Sequence, residues 1–181
     1  MSQTARHFLR ALLSVLVALW MGMDAAAALA QTGAPVLLQV LGQVHSPLAL
    51  TKQDLLALPR KDYAENRTVV QDGKEVTLTV RYQGVPLRQL LDQAGLKPDR
   101  HAVRKAVVLL TAHDGYQATF SWGELYNSAL GDGVIVVLRH GTDELLDVDG
   151  FPALRSLQDT RPGPRHVRWL KTAEVLLPVG R

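Results

Sequence analysis

The 181-residue chain contains no cysteine. That excludes disulfides, thiolate metal sites and lipid attachment through a mature N-terminal cysteine. It also has no charge excess large enough to suggest nucleic acid as a partner, since the formal balance is only +3. Repeats and low-complexity tracts are missing. The histidines His45, His101, His113, His140 and His166 are scattered, and none pairs with another at the two- or four-residue spacing of a zinc signature. Neither a G-x-S-x-G elbow nor a glycine-rich phosphate loop is present. Asp147-Val148-Asp149-Gly150 lacks the third oxygen position and the distal glutamate of a calcium loop. It reads as a turn.

The N-terminus has the order of a secretory signal. Arg6 and Arg10 precede Ala11–Met23, an apolar run of thirteen residues, and Ala28-Leu29-Ala30 supplies a small-residue cleavage site. A membrane-spanning helix needs about 20 apolar residues, so the run falls short of a span. No arginine pair precedes it, so the general secretory route is expected over the twin-arginine route. Residues 1–30 are therefore expected to be a signal peptide and 31–181 one periplasmic domain, with no stable membrane span after cleavage. Removing Arg6, Arg10 and Asp24 from the 20 basic and 17 acidic residues leaves 18 against 16.

What is present is a mixture of short strands and helices. Val36–Val40, Thr68–Val70, Val76–Val80, Ala106–Thr111, Gln117–Phe120, Val134–Leu138, Pro152–Leu157 and Ala173–Leu177 read as strands. Asp72-Gly73 marks a hairpin and Asp114-Gly115 another turn. Thr51 and Ser121, each with an acid three residues on, are capping boxes for short helices. Gly84-Val85-Pro86-Leu87 is expected to turn into a helix whose Leu87, Leu90, Leu91 and Ala94 share one apolar face, ended by Gly95. The helices are too few for a doubly wound sheet, so the expected class is α+β with a bent mixed sheet.

Four segments in this order resemble the molybdopterin-binding domain of the sulfite oxidase family. They are Gly42–Thr51 leading into Asp54–Pro59; Tyr82-x-Gly84-Val85-Pro86-Leu87-x-x-Leu90-Leu91-x-x-Ala94-Gly95; Asp114-Gly115-Tyr116 with Phe120 and Glu124-Leu125; and Arg165-His166-Val167-Arg168-Trp169-Leu170 with Glu174-Val175. The likeness is to short, exported, single-domain members. It implies that family's fold and a molybdopterin cofactor whose molybdenum is also held by a protein cysteine. It further implies oxygen-atom transfer on a small oxyanion or sulfoxide. The interval that would hold that cysteine, Arg60–Tyr82, contains none and reads as a plain hairpin. Family members that carry the cofactor normally cross the membrane folded, which the general secretory signal does not provide. The resemblance therefore points to a ligand- or partner-binding module without a cysteine-ligated molybdenum centre and without a metal site. The alternative is an active molybdopterin-dependent oxidoreductase.

Arg155, Arg161, Arg165, His166, Arg168 and Lys171 gather cations around Pro162-Gly163-Pro164. Planar guanidinium groups suit phosphate or another oxyanion. The resemblance places part of the cofactor's phosphate site in this region, so Arg155, Arg165, His166 and Arg168 are candidate cofactor-binding residues. The competing reading is a solvated basic loop. If the segment is a strand, His166 and Arg168 share one face and Arg165 shares the other with Val167. Tyr116 in its turn is the candidate for an exposed ring that stacks on a flat ligand, whereas Trp169 and Tyr82 are expected to pack in the core. No catalytic residue is identifiable. The partners expected are a small oxyanion, a flat ligand or a periplasmic protein, and no nucleic acid.

Overall fold

The computed structural model describes residues 33–97, 99, 101–141, 143–144, 150–161 and 163–178. The expected signal peptide and the Asp147-Val148-Asp149 turn lie outside the described residues. The chain divides after Pro35, and Val36–Arg181 is the unit that carries the elements below.

Local signals in the sequence set most of these elements. β1 (Val36–Gly42) and β2 (Leu48–Thr51) lead into α1 (Lys52–Ala57). Thr51 caps α1: its Oγ1 accepts from the Asp54 N–H at 3.2 Å, and the Asp54 carboxylate accepts from the Thr51 N–H at 2.9 Å. The same reciprocal box, built from Ser121 and Glu124, opens α3 (Trp122–Tyr126). β3 (Lys61–Gln71) and β4 (Lys74–Pro86) form a hairpin closed by Asp72 and Gly73. Both turn residues have positive φ, 52° and 74°, as a two-residue turn matched to strand twist requires.

The strands of this hairpin are longer than their β-branched runs suggested. Moreover, Gly84-Val85-Pro86, expected as a turn, is the end of β4. Long-range pairing overrides the local turn signal there: Gly84, Val85 and Pro86 lie opposite Val137, Val136 and Ile135 of β7 (Val134–His140). Gly84 permits this approach, because a Cβ at that position would stand 2.6 Å from the Val136 carbonyl oxygen. α2 (Leu87–Ala94) follows at once and buries Leu87, Leu90, Leu91 and Ala94, the expected face.

The α+β class holds, with the strands laid in two five-stranded sheets rather than one. The first has the order β2-β1-β10-β5-β6, adding β5 (Val107–Ala112), β6 (Gln117–Ser121) and β10 (Leu170–Leu176). It is mixed, because β1 and β10 run parallel while the other pairs are antiparallel. The second has the order β3-β4-β7-β8, with β8 at Asp143–Glu144; β9 (Ala153–Ser156) also pairs with β7. One core draws on both sheets and on α2, with Leu38, Leu90, Leu110, Phe120, Val136 and Leu154 fully buried. Among the described residues no helix is long and apolar enough to cross a membrane.

β7 positions the site. Val134–Leu138 is an unbroken apolar run, buried throughout. Such a strand needs cover on both faces and partners on both edges. Its partners, β4 and β9, bring the hairpin and the C-terminal part of the chain to the same place.

Candidate functional site

Side-chain alternation accounts for the site. Leu154 of β9 and Val167 form an isolated antiparallel bridge, each donating its N–H to the other's carbonyl at 2.7 and 3.0 Å. Both side chains are fully buried. Neighbours on a strand point the opposite way, so Ala153, Arg155, His166 and Arg168 emerge together on the other face. All four line one cavity of about 410 Å³. The expected parity of His166 and Arg168 holds, although Arg165–Trp169 forms a turn and a single bridge rather than a strand.

The opposite wall comes from the hairpin and β7. Arg67, Tyr82, Val137 and His140 complete the lining. Tyr82 and His140 are register partners across β4 and β7, and their rings stack 5.3 Å apart. Beneath the arginines lies Glu65, only 7% exposed. Its Oε2 accepts from Arg67 Nε at 2.8 Å and from the Tyr82 hydroxyl at 3.1 Å, and it pairs with Arg155 Nη2 at 3.5 Å. Arg67 Nη2 donates to the Tyr82 oxygen at 2.7 Å. Arg155 also lies 5.3 Å over the Tyr82 ring. Burial raises the Tyr82 phenol above its ordinary range despite the nearby Arg67, so it remains a donor to Glu65.

Arg155 Nη1 sits 3.2 Å from His166 Nδ1. The same Nη1 lies 3.5 Å from Nε2, which sets the guanidinium against the ring rather than in line with either lone pair. Burial first, then the charges of Arg67 and Arg168, push His166 below its ordinary pKa, with Glu65 opposing. Arg168 lines the cavity and is exposed, with its guanidinium 4.4 Å over the Trp169 ring. The Arg168 side chain packs against Gly150, where a Cβ would meet it at 2.8 Å. Among the described residues three guanidinium groups and the Glu65 carboxylate gather at this cavity, an arrangement suited to an anion.

The other candidates go elsewhere. Arg165 turns to the far side of its segment. It donates to Glu124 at 2.8 Å, is clamped by Asp159, and stacks 4.4 Å over Phe120. With Arg161 it borders a second, more open hollow of about 370 Å³. Its two carboxylate partners make it a structural tie. Tyr116 is exposed, as expected, but its hydroxyl donates to the Pro164 carbonyl and its ring does not line the cationic cavity. Lys171 is exposed on β10 and His113 lies in an exposed turn. Trp169, expected in the core, is half-buried with Arg168 stacked on it. Tyr82 is in the core as expected, and also in the pocket wall. Glu65, Arg67 and His140 were not singled out from the sequence. The one local signal was Glu65-x-Arg67, an opposite-charge pair on one face of a strand. Among the described residues no cluster of three or more potential metal ligands occurs.

The fold is shared with known proteins. The crystal structure of the sulfane dehydrogenase SoxCD from Paracoccus pantotrophus matches with a TM-score of 0.57 at 22% identity. The match covers 76% of this chain and 37% of that one, so the chain spans little more than a third of that protein's length. No curated protein is matched by the chain. The family model "Oxidoreductase molybdopterin binding domain" matches residues 27–177. The chain belongs to the oxidoreductase molybdopterin-binding domain family.

Proposed function

We propose that this chain is an exported, periplasmic member of the molybdopterin-binding fold that binds a small anion and carries no cysteine-ligated molybdenum. The carrying observation is the convergence of Arg67, Arg155, His166 and Arg168, from three separate stretches of chain, on one cavity. Its volume falls in the range of about 300–1,000 Å³ usual for small-molecule sites.

The family's cofactor is a poor fit to these residues. The arginines suit its phosphate, but a high-valent metal needs a soft or anionic protein ligand, and the sequence has no thiol. The carboxylate of Glu65 is already engaged by Arg67, Tyr82 and Arg155. The Tyr82 ring is stacked by His140 and approached by two guanidinium groups, which leaves little open aromatic surface for a pterin. The leader-like residues 1–30 support export by the general route.

The test starts with protein made with its leader in a host that synthesises molybdenum cofactor. The reading expects a periplasmic product beginning at Gln31 by mass spectrometry, without molybdenum or the fluorescence of oxidised pterin. It expects sulfate or phosphate binding by calorimetry, lost in Arg155→Gln/Arg168→Gln. Stoichiometric molybdenum would instead establish the oxidoreductase alternative.

A further inference from the structure

We propose that the outer edge of β3 pairs with the same strand of a second copy of this chain, antiparallel about a two-fold axis at Asn66. The contact sets Arg67 of each copy beside Glu65 of the other. It stands apart from the anion-binding reading, because it uses the free side of the strand that carries Glu65 and Arg67.

The two sheets end in β2, β6, β3 and β8. β2, β6 and β8 are short, with four, five and two residues, which limits what could pair with them. β3 has eleven and, among the described residues, pairs with β4 alone. It carries no proline to interrupt a new ladder. The outer edge of β4 is less open. Its pairing with β7 begins at Tyr82, and just before it the Gly141 N–H donates to the Arg81 carbonyl at 2.9 Å. That bond also fixes the parity of β3. The Arg81 carbonyl points away from β3, so Arg81 and its partner Ala64 form a non-hydrogen-bonded pair. Ala64 therefore turns its own N–H and C=O to the free edge. The register runs without a shift as far as Gln71 and Lys74, so Asp62, Asn66, Thr68 and Val70 do the same. All five residues are exposed, Val70 by 73%. Such a row of open backbone groups is a template for another strand.

The side chains select the occupant. Glu65 and Arg67 flank Asn66 symmetrically. When Asn66 faces Asn66 of the second copy, Glu65 faces Arg67 and Arg67 faces Glu65. Tyr63 then faces Val69, an aromatic ring against a β-branched residue, and Ala64 faces Thr68. The even-numbered residues make the hydrogen bonds of this ladder, about ten in all, so the odd-numbered pairs are the closely spaced ones. Opposite charges therefore meet where side chains approach most closely. Moving the axis one residue either way sets Glu65 against Glu65 or Arg67 against Arg67, so charge specifies one register. A two-fold contact needs a surface complementary to itself, and the Glu65-x-Arg67 pair about Asn66 is one. The odd-numbered residues share the face that bears Tyr82, so both cavities lie on one face of the joined sheet. The carboxylate at each cavity then gains a cation from the other copy.

The experiment uses the mature protein. Sedimentation equilibrium should give twice the monomer mass at high concentration and the monomer mass on dilution. Hydrogen exchange of the unmutated protein should find the Ala64, Asn66 and Thr68 amides slowed in the dimer and fast once it is diluted. Thr68→Pro removes one outward N–H and leaves the bonds to β4 in place, so it should be monomeric with an unchanged circular dichroism spectrum. The chain has no cysteine, so single cysteines report the register cleanly. Residues opposite each other in a hydrogen-bonded pair have Cα atoms about 5.5 Å apart, inside the disulfide range of about 4.4–6.8 Å. Asn66→Cys should therefore oxidise to a linked dimer at least about tenfold faster than Thr77→Cys, which is exposed on the same face of β4. Ala64→Cys mixed with Thr68→Cys should form the mixed dimer, and neither should link to itself. A monomer at all concentrations, a folded Thr68→Pro that still dimerises, or linkage of Asn66→Cys no faster than of Thr77→Cys overturns the proposal. So does a monomer whose Asn66 amide stays protected on dilution, since the edge would then be covered from within its own chain.

Discussion

At the scale of single residues, Glu65 and His166 hold the cavity's electrostatics. Glu65 is buried, accepts from Arg67 and Tyr82 and pairs with Arg155, so its value lies in what it leaves behind when removed. Glu65→Gln strips two arginines of their counter-charge in a partly desolvated place. The expected loss is about 2–3 kcal/mol, below the full penalty for a broken buried pair because Arg67 is partly exposed. Urea melts measure it, and the gap to the unmutated protein should narrow when sulfate supplies the missing charge. His166 gives a prediction in pH. Its folded pKa lies below the ordinary value, so between the two the unfolded chain binds the proton more readily than the folded one. Stability in sulfate-free buffer should therefore fall as pH drops below about 6.5, and His166→Gln should flatten that limb. A urea midpoint that rises on acidification would contradict it.

At the scale of elements, the short helices stand on their caps. α1 has six residues and α3 five, too short to persist on intrinsic propensity. Ser121→Ala should cost about 1 kcal/mol through the lost cap. Glu124 completes the same box and also accepts from Arg165. Burial alone would raise the Glu124 carboxyl, but the Ser121 hydrogen bonds and the Arg165 guanidinium hold it below its ordinary value. Its stabilisation is thus fully present above about pH 4.5 and is lost as pH falls through the depressed folded value. Glu124→Gln should accordingly destabilise at neutral pH and have little effect near pH 3, as urea titrations at the two pH values would show. These elements were legible because their signals are local: Thr51 with Asp54, Ser121 with Glu124, and Asp72-Gly73 each lie within a few residues. The C-terminal half of the site was legible for the same reason, since Arg155, His166 and Arg168 stand close in sequence and obey strand parity. The other half was not. Arg67 and His140 meet only because β4 pairs with β7 in the register that sets Tyr82 opposite His140. That register is a long-range property, and it also turned Gly84-Val85-Pro86 from an expected turn into strand. Arg165 lies outside the cationic cavity, because adjacency to the motif says nothing of the distant Glu124 that claims its guanidinium.

At the scale of the whole molecule, the cavity is a joint between parts that fold far apart in sequence. Its walls come from β3, β4, β7, β9 and the segment around Val167, so an anion seated there ties the hairpin to the C-terminal segment. A ligand that binds the folded state alone stabilises it by mass action, by about 2.7 kcal/mol at a hundred times its dissociation constant. Without cysteine the fold rests on packing and polar ties alone, so this increment is a large share of a typical total of about 5–15 kcal/mol. Sulfate should therefore raise the unfolding temperature steadily with the logarithm of its concentration once the site is saturated. Sodium chloride of equal ionic strength should not, because screening weakens the surface pairs without filling the site. General salting-out by sulfate acts on every variant alike. The discriminating quantity is therefore the difference between the unmutated protein and Arg155→Gln/Arg168→Gln, measured at matched sulfate. That difference should grow with sulfate and vanish in chloride. Parallel curves in sulfate would mean that the cavity's cations hold the fold together but bind nothing.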